Sequence, residues 1–243
     1  MLTKNRKQPV LKIQNDAFNT SISDLMAGML AIFVLALCFF ILNFGQATAQ
    51  LTQNNITRAK LLVEIQEEMN KQGFFDLKVD TKKGVLHIKE GILFDVGEAE
   101  IKPQGQLLIQ VLSKTLDNVL TKDEYKETVE TIFVEGHTDN VPIETLLFPS
   151  NWELSTKRAI NTWLLLKKEN NNLESMKNKN GEPLFSCSGY ADTRPISGND
   201  TEEGRQENRR IDLRFTMIPP ADENLKIVDE LSKRIQGNEN RNL

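Results

Sequence analysis

TIFVEGHTDNVPIETLLFPSNWELSTKRAINTWLLLKKE, residues 131–169, changes its period partway along. With Glu130 included, its start reads ETIFVEG, a short apolar run rich in β-branched and aromatic residues, and predicts a buried strand over 130–136. Further on, Ser150 stands three residues before Glu153, the spacing of a capping box, and an amphipathic pattern then predicts a helix over 150–169. The same alternation extends outward. PLFSCSGY (183–190) and RRIDLRFTMI (209–218) read as strands, as does GVLHIKEGILFD (84–95), where Gly91 suggests a bulge. Pro103 opens a predicted helix to about Leu120, with Leu107, Leu108, Val111, Leu112 and Leu116 on one face. Together these elements predict an α+β class domain over 74–219, an α/β sandwich of helices against a mixed four-stranded sheet.

The N-terminal third differs in kind. ISDLMAGMLAIFVLALCFFILNF (22–44) is apolar apart from Asp24, and no formal charge occurs between Asp24 and Arg58. Residues 25–44 suffice to cross roughly 30 Å of hydrocarbon as a helix. Lys4, Arg6, Lys7 and Lys12 precede the run, whereas 45–57 has no basic residue. The positive-inside rule therefore predicts a cytoplasmic N-terminus and a single pass. A cleaved signal peptide would share the basic start and the ATA at 47–49, but its apolar core is about 7–15 residues. LALC ends at Cys38 like a lipoprotein signal, yet Leu37 occupies the position that needs a small residue.

The predicted order is a cytoplasmic tail (1–20), a transmembrane helix (21–44), a linker with an amphipathic helix (45–73), the domain (74–219) and a C-terminal tail (220–243). Within the linker, Leu61, Leu62, Ile65 and Met69 recur at helical spacing and Gly73 supplies a stop. That helix is expected to pack on the domain or on a second copy, and its use as a plug is left open. In the tail, a short helical pattern surrounds Leu225 to Ile235.

Composition removes several function classes. A net charge of −4 over 243 residues offers nothing to a nucleic acid, so no direct nucleic-acid partner is expected. Cys38 and Cys187 cannot form a disulfide framework; Cys187 is expected to be a buried thiol, with an interchain bridge as the alternative. His87 and His137 are the only histidines and lack metal-ligand spacing, so His137 reads as a packed residue at a strand end and no metal is expected. Without a nucleophile and base, the chain is not expected to be an enzyme, nor to carry a cofactor.

Three motifs in order, VEGHTDNVPI (134–143), NWELSTKRA (151–159) and GYADTRPISGNDTEEGRQENRRIDL (189–213), resemble the OmpA-like peptidoglycan-binding family, and the resemblance covers residues 84–217. It implies that Asp139 accepts hydrogen bonds from the ammonium of diaminopimelate in the wall peptide. Arg158 would fork onto its carboxylate, with Asn151 and Leu154 lining the pocket. Arg209 and Arg210 are also matched, and are expected in a structural or rim role.

An acid in a membrane helix is costly, about 2.5–3.5 kcal/mol or more near the centre. An interfacial or N-cap position would avoid that cost. Ala27, Gly28 and Ala31, at i+3, i+4 and i+7 from Asp24, would let another helix approach closely, so that the acid faces protein and can carry a proton. A single helix with such an acid, joined to an OmpA-like domain, resembles the MotB family of stator B subunits. SISDLMAGMLAIFVLAL (21–37) is most similar to ZorB, its counterpart in the Zorya anti-phage defence system. The resemblance implies a homodimer inside a ring of MotA-like or ZorA-like membrane subunits, H+ as the transported ion, a bacterial inner-membrane location and a periplasmic domain clamped to peptidoglycan. A flagellar stator subunit and a purely structural tether are the alternatives.

Overall fold

Three strands, 210–217 between 85–89 and 129–137, form the centre of a sheet whose helical cover lies on one side. The computed structural model describes residues 8–219. The chain divides into two units, one up to Gln50 and one from Leu51 on. Helix α1, Gln8–Lys71, contributes to both. In the first unit its large apolar side chains, from Phe18 to Phe44, are all exposed, and among the described residues this is the one helix apolar and long enough to cross a membrane. Three of the four basic residues that argued for topology, Lys4, Arg6 and Lys7, lie outside the described residues, as does the helical pattern at 225–235.

In the second unit the elements run β1 (Lys78–Asp80), β2 (Val85–Lys89), α2 (Glu90–Leu93), α3 (Pro103–Leu120), β3 (Val129–His137), α4 (Asn151–Glu169), α5 (Asn172–Ser175), β4 (Phe185–Gly189), α6 (Glu202–Asn208) and β5 (Arg210–Met217). The sheet order is β1-β2-β5-β3-β4. All pairings are antiparallel except β3 with β4, which the α4 crossover makes parallel.

Three expectations are corrected. The sheet has five strands, not four: β1 is only Lys-Val-Asp, too short and too charged to show an alternating pattern. Residues 84–95 are not one bulged strand, because β2 stops at Lys89 and Gly91 lies in the short helix α2. Leu107 is exposed, while Leu108, Leu112 and Leu116 are buried, since the apolar stripe of α3 is narrower than its leucine content.

One core joins Ile132, Val134, Leu213 and Phe215 of the sheet to Leu112 and Leu116 of α3 and Leu166 of α4. Leu61, Leu62, Ile65 and Met69 belong to it, each fully buried, so the end of α1 is built into the domain. Gln66 donates to the carbonyl of Leu77 (2.8 Å) and Tyr125 donates its hydroxyl proton to Glu64 (2.8 Å), closing the polar edge of that contact. Gly73 then ends the segment with φ +88°, a left-handed value that suits glycine.

Helix α4 lies unusually close to the sheet. A Cβ on Gly136 would stand 2.0 Å from the carbonyl oxygen of Ser155, and one on Gly189 2.2 Å from Oγ1 of Thr156. Bare backbone at the ends of β3 and β4 therefore lets the first turns of α4 settle against the strands. Cys187 sits below the same helix, its thiol pushed up to about 11 by burial, which keeps it protonated.

Candidate functional site

The close seat of α4 aims Arg158 inward, beneath the loops that leave β2 and β3. Ser150 caps the helix by accepting from the amide of Trp152, and its hydroxyl donates to the Glu153 carboxylate, a variant of the expected capping box. Two turns later Arg158 is 2% exposed. Its Nε donates to the carbonyl of Glu98 (2.7 Å), Nη2 donates to that of Asp95 (3.3 Å), and the guanidinium lies 5.1 Å from the centre of the Phe94 ring. Its charge partner is Glu90, at the start of α2. Burial lowers the Arg158 affinity for its proton, against the pull of Glu90.

Glu90 is shared. Its Oε2 lies 3.0 Å from Nε of Arg209, and its amide donates to the carbonyl of Arg209 (3.0 Å). Arg209 also reaches Asp139 and, at 2.7 Å, Glu202. The sequence-expected pair, Asp139 and Arg158, is thus joined through Glu90 and Arg209. Burial raises the Glu90 carboxyl above the ordinary glutamate value despite the charges of Arg158 and Arg209. Asn208, just before Arg209, fixes the approach: it accepts from the amides of Ile196 and Ser197 and donates to the Ser197 carbonyl.

The remaining expected residues shape this cluster. Asn151 donates to the carbonyls of Asp139 (3.3 Å) and Val141 (3.0 Å), holding the loop after β3. Asp139 Oδ1 accepts from the amide of Val141 (3.0 Å). Leu154 is buried. Arg209, expected in a structural or rim role, joins Glu90, Asp139 and Glu202, and Glu90 was not singled out at all. An acid directly after the buried VLHIK strand and before Ile92, Leu93 and Phe94 was the signal that could have found it. A cavity of about 390 Å³ opens beside the cluster, lined by Glu90, Arg209, Lys89 and Gln206 among others.

A second polar cluster covers the sheet face away from the helices. Glu135 and Arg214 pair in fork geometry (2.7–3.0 Å), and Arg210 Nε contacts both oxygens of Asp212 at 3.0 Å. His87 Nδ1 is 2.6 Å from Asp212. His137 Nε2 is 3.3 Å from Asp212, and the ring stacks on Tyr190 with centroids 5.4 Å apart. Glu135, His137 and Asp212 bring possible metal-ligand atoms within 4.8 Å of one another. A dication there would sit against two guanidiniums already neutralising both carboxylates.

Asp24, Ala27, Gly28 and Ala31 all lie on α1 in the first unit and are exposed. Among the described residues, and apart from the helix's own neighbouring backbone, nothing comes within 4 Å of a Cβ added at Gly28. The site that the domain offers is therefore separate in sequence from this acid.

A mixed sheet under two long helices, with a carboxylate–guanidinium cluster at its loop end, defines an α+β domain with a buried charge cluster. Residues 93–209 match the OmpA family. Motility protein B of Bacillus subtilis is 36% identical over 147 residues, 60% of this chain and 50% of that protein. The chain thus spans about half the length of that relative. Zorya protein ZorB of Escherichia coli is 24% identical across 92% of this chain and 97% of its own length. Among solved structures, the cell wall anchor of the type VI secretion system of Pseudomonas aeruginosa superimposes with a TM-score of 0.50 at 26% identity, over 65% of this chain and 97% of that one. A MotB-like protein of Desulfovibrio vulgaris shares the fold (TM-score 0.56, 20% identity, 69% of this chain and 98% of that one).

Proposed function

We propose that this chain is the B subunit of an ion-driven motor of the bacterial inner membrane, anchored to peptidoglycan and acting in Zorya-type anti-phage defence. One observation carries the reading: the same chain joins a domain that matches the OmpA family, with its buried charge cluster, to an apolar helical stretch (22–44) containing a single acid. Its likeness to ZorB runs almost end to end, which supports the defence role. The higher identity to motility protein B, confined to about half of that protein, supports a flagellar stator as the second reading.

In this mechanism two copies sit within a ring of MotA-like or ZorA-like subunits, with their N-termini in the cytoplasm and their domains in the periplasm. Protons load and unload Asp24 on the seam formed by Ala27, Gly28 and Ala31. Each change of charge alters the fit between dimer and ring. The domains hold the dimer still by binding the wall peptide at the Asp139 cluster, in which Arg158 takes part and which Asn151 and Leu154 shape.

Asp24→Asn is expected to abolish ion flow and phage protection while the chain still assembles and sediments with purified peptidoglycan. Normal protection by this variant would refute the proton role and leave a wall tether. Asp139→Ala is expected to release the chain from the wall preparation.

A further inference from the structure

We propose that the outward face of α4 and the two loops beside it form a docking groove for an amphipathic helix of another protein, one with a basic flank. The groove, of about 590 Å³, has Leu147, Trp152 and Ile160 in its apolar lining and Glu98, Glu100 and Glu153 in its acidic lining. Glu90, Asp139 and Arg209 do not line it, so it stands apart from the wall-binding reading. Trp152, Thr156 and Ile160 follow one another four residues apart on one side of α4, and the exposed Leu164 extends the row. The buried side of the same helix carries Ser155, Arg158, Ala159 and Thr162. Helix α4 thus turns an apolar row to water besides the face it gives to the sheet.

This exposure is held in place. The Thr145 amide donates to the Phe148 carbonyl (2.9 Å) and the Phe148 amide to the Thr145 hydroxyl (3.0 Å), and the turn so closed presents Leu147, which is 78% exposed. In the other loop, Arg158 fixes the carbonyl of Glu98 and Asn161 donates to that of Ala99 (2.7 Å). A surface already fixed in shape loses little freedom when a partner is seated. Single exposed leucines need no partner, but apolar side chains gathered in a concave site do point to one.

Charge selects the occupant. Lys157 is the one base in the lining, against the three glutamates. Among the described residues Glu98, Glu100 and Lys157 make no ion pair. A hydrogen bond from Ser150 holds the Glu153 carboxyl below its ordinary value. A second copy seated by two-fold symmetry would set the three glutamates against themselves. Anionic lipid headgroups are repelled by the same charges. A sugar would stack on Trp152 but leave the aliphatic Leu147 and Ile160 facing hydroxyls. A helix with apolar residues at i, i+3, i+4 and i+7, and lysine or arginine beside them, answers both linings.

The test uses the full chain in nanodiscs of zwitterionic lipid, with Trp163→Phe so that Trp152 is the one tryptophan left to report. The probes are two tryptophan-free peptides of about four helical turns. Both carry leucine on one face; one has lysine elsewhere and the other glutamate. The lysine peptide is expected to shift Trp152 emission to the blue and to bind about tenfold tighter than its acidic twin, the scale of a few exposed ion pairs. Added salt should narrow that ratio. Glu98→Lys combined with Glu100→Lys, both at exposed positions, should invert the preference, and Leu147→Ser should weaken both peptides. Failure of both peptides to shift the emission overturns the proposal, as does equal affinity for the two or a preference that the double variant leaves unchanged. A shift produced by a chitin oligosaccharide and by neither peptide would make the groove a sugar platform. Emission already blue in the free chain, and turned red by Leu147→Ser, would assign the face to a second copy. Either of these results also overturns it.

Discussion

The domain has two buried clusters of carboxylates and guanidiniums, one of them with two histidines added, and burial leaves them in opposite states. On the outer sheet face, burial pushes the Asp212 carboxyl up, but His137, His87 and Arg210 more than offset it and hold Asp212 well below the usual aspartate range. Glu135 is lowered in the same way, burial being outweighed by His137 and Arg214. At the loop end, burial of Glu90 outweighs Arg158 and Arg209, and its carboxyl is raised. The first cluster favours its charges; the second holds one against the local preference. Groups shifted against their charged form are found more often at functional sites than elsewhere, although structural ion-pair networks shift them too.

The sharpest way to break this contrast is to neutralise each acid without changing its shape. Asp212→Asn leaves Arg210 buried beside an amide, and breaking a buried pair in this way costs about 3–5 kcal/mol. Chemical denaturation of the detergent-solubilised chain would read the loss. A cost below about 1 kcal/mol would show that the outer cluster does not hold the sheet face together.

Acid sharpens it next. Asp212 and Glu135 have folded values below their ordinary 3.8 and 4.5, so their contribution is complete above those values and is lost as pH falls through the lower folded ones. Stability should decline below about pH 4, and the decline should be shallower in Asp212→Asn, which has one fewer carboxylate to protonate. An identical acid profile in the two proteins would remove Asp212 from this account.

The two clusters also differ in how far the sequence discloses them. Strand β5 shows Arg210, Asp212 and Arg214 alternating with Ile211, Leu213 and Phe215, so a period of two separates the faces. The period cannot say that the charged face is buried, because that depends on Glu135 and His137 arriving from β3 across the sheet. At the loop end, Asp139 and Arg158 were legible as members of ordered motifs. Glu90 was not, since its role exists only when residues 90, 139, 158 and 209 meet through four separate elements. The same limit applies to 58–71, where the helical period was plain but its burial in the domain core required the fold.

Glu90→Gln should have the smallest effect on stability, and its sign is the informative part. A folded value above 4.5 means that the native state binds this proton more tightly than the unfolded chain does. Stability attributable to Glu90 is therefore fully present below about pH 4.5 and is lost as pH rises through the folded value. Glutamine imitates the protonated form, so at neutral pH it regains what ionisation forfeits. Against that gain, its NH2 group can face Arg209, where the carboxylate offered Oε2, and it carries no charge for Arg158. The two effects leave stability unchanged or raised by up to about 1 kcal/mol. A loss as large as that of Asp212→Asn would mean that Glu90 is an ordinary structural partner of Arg158, and the distinction between the two clusters would fail.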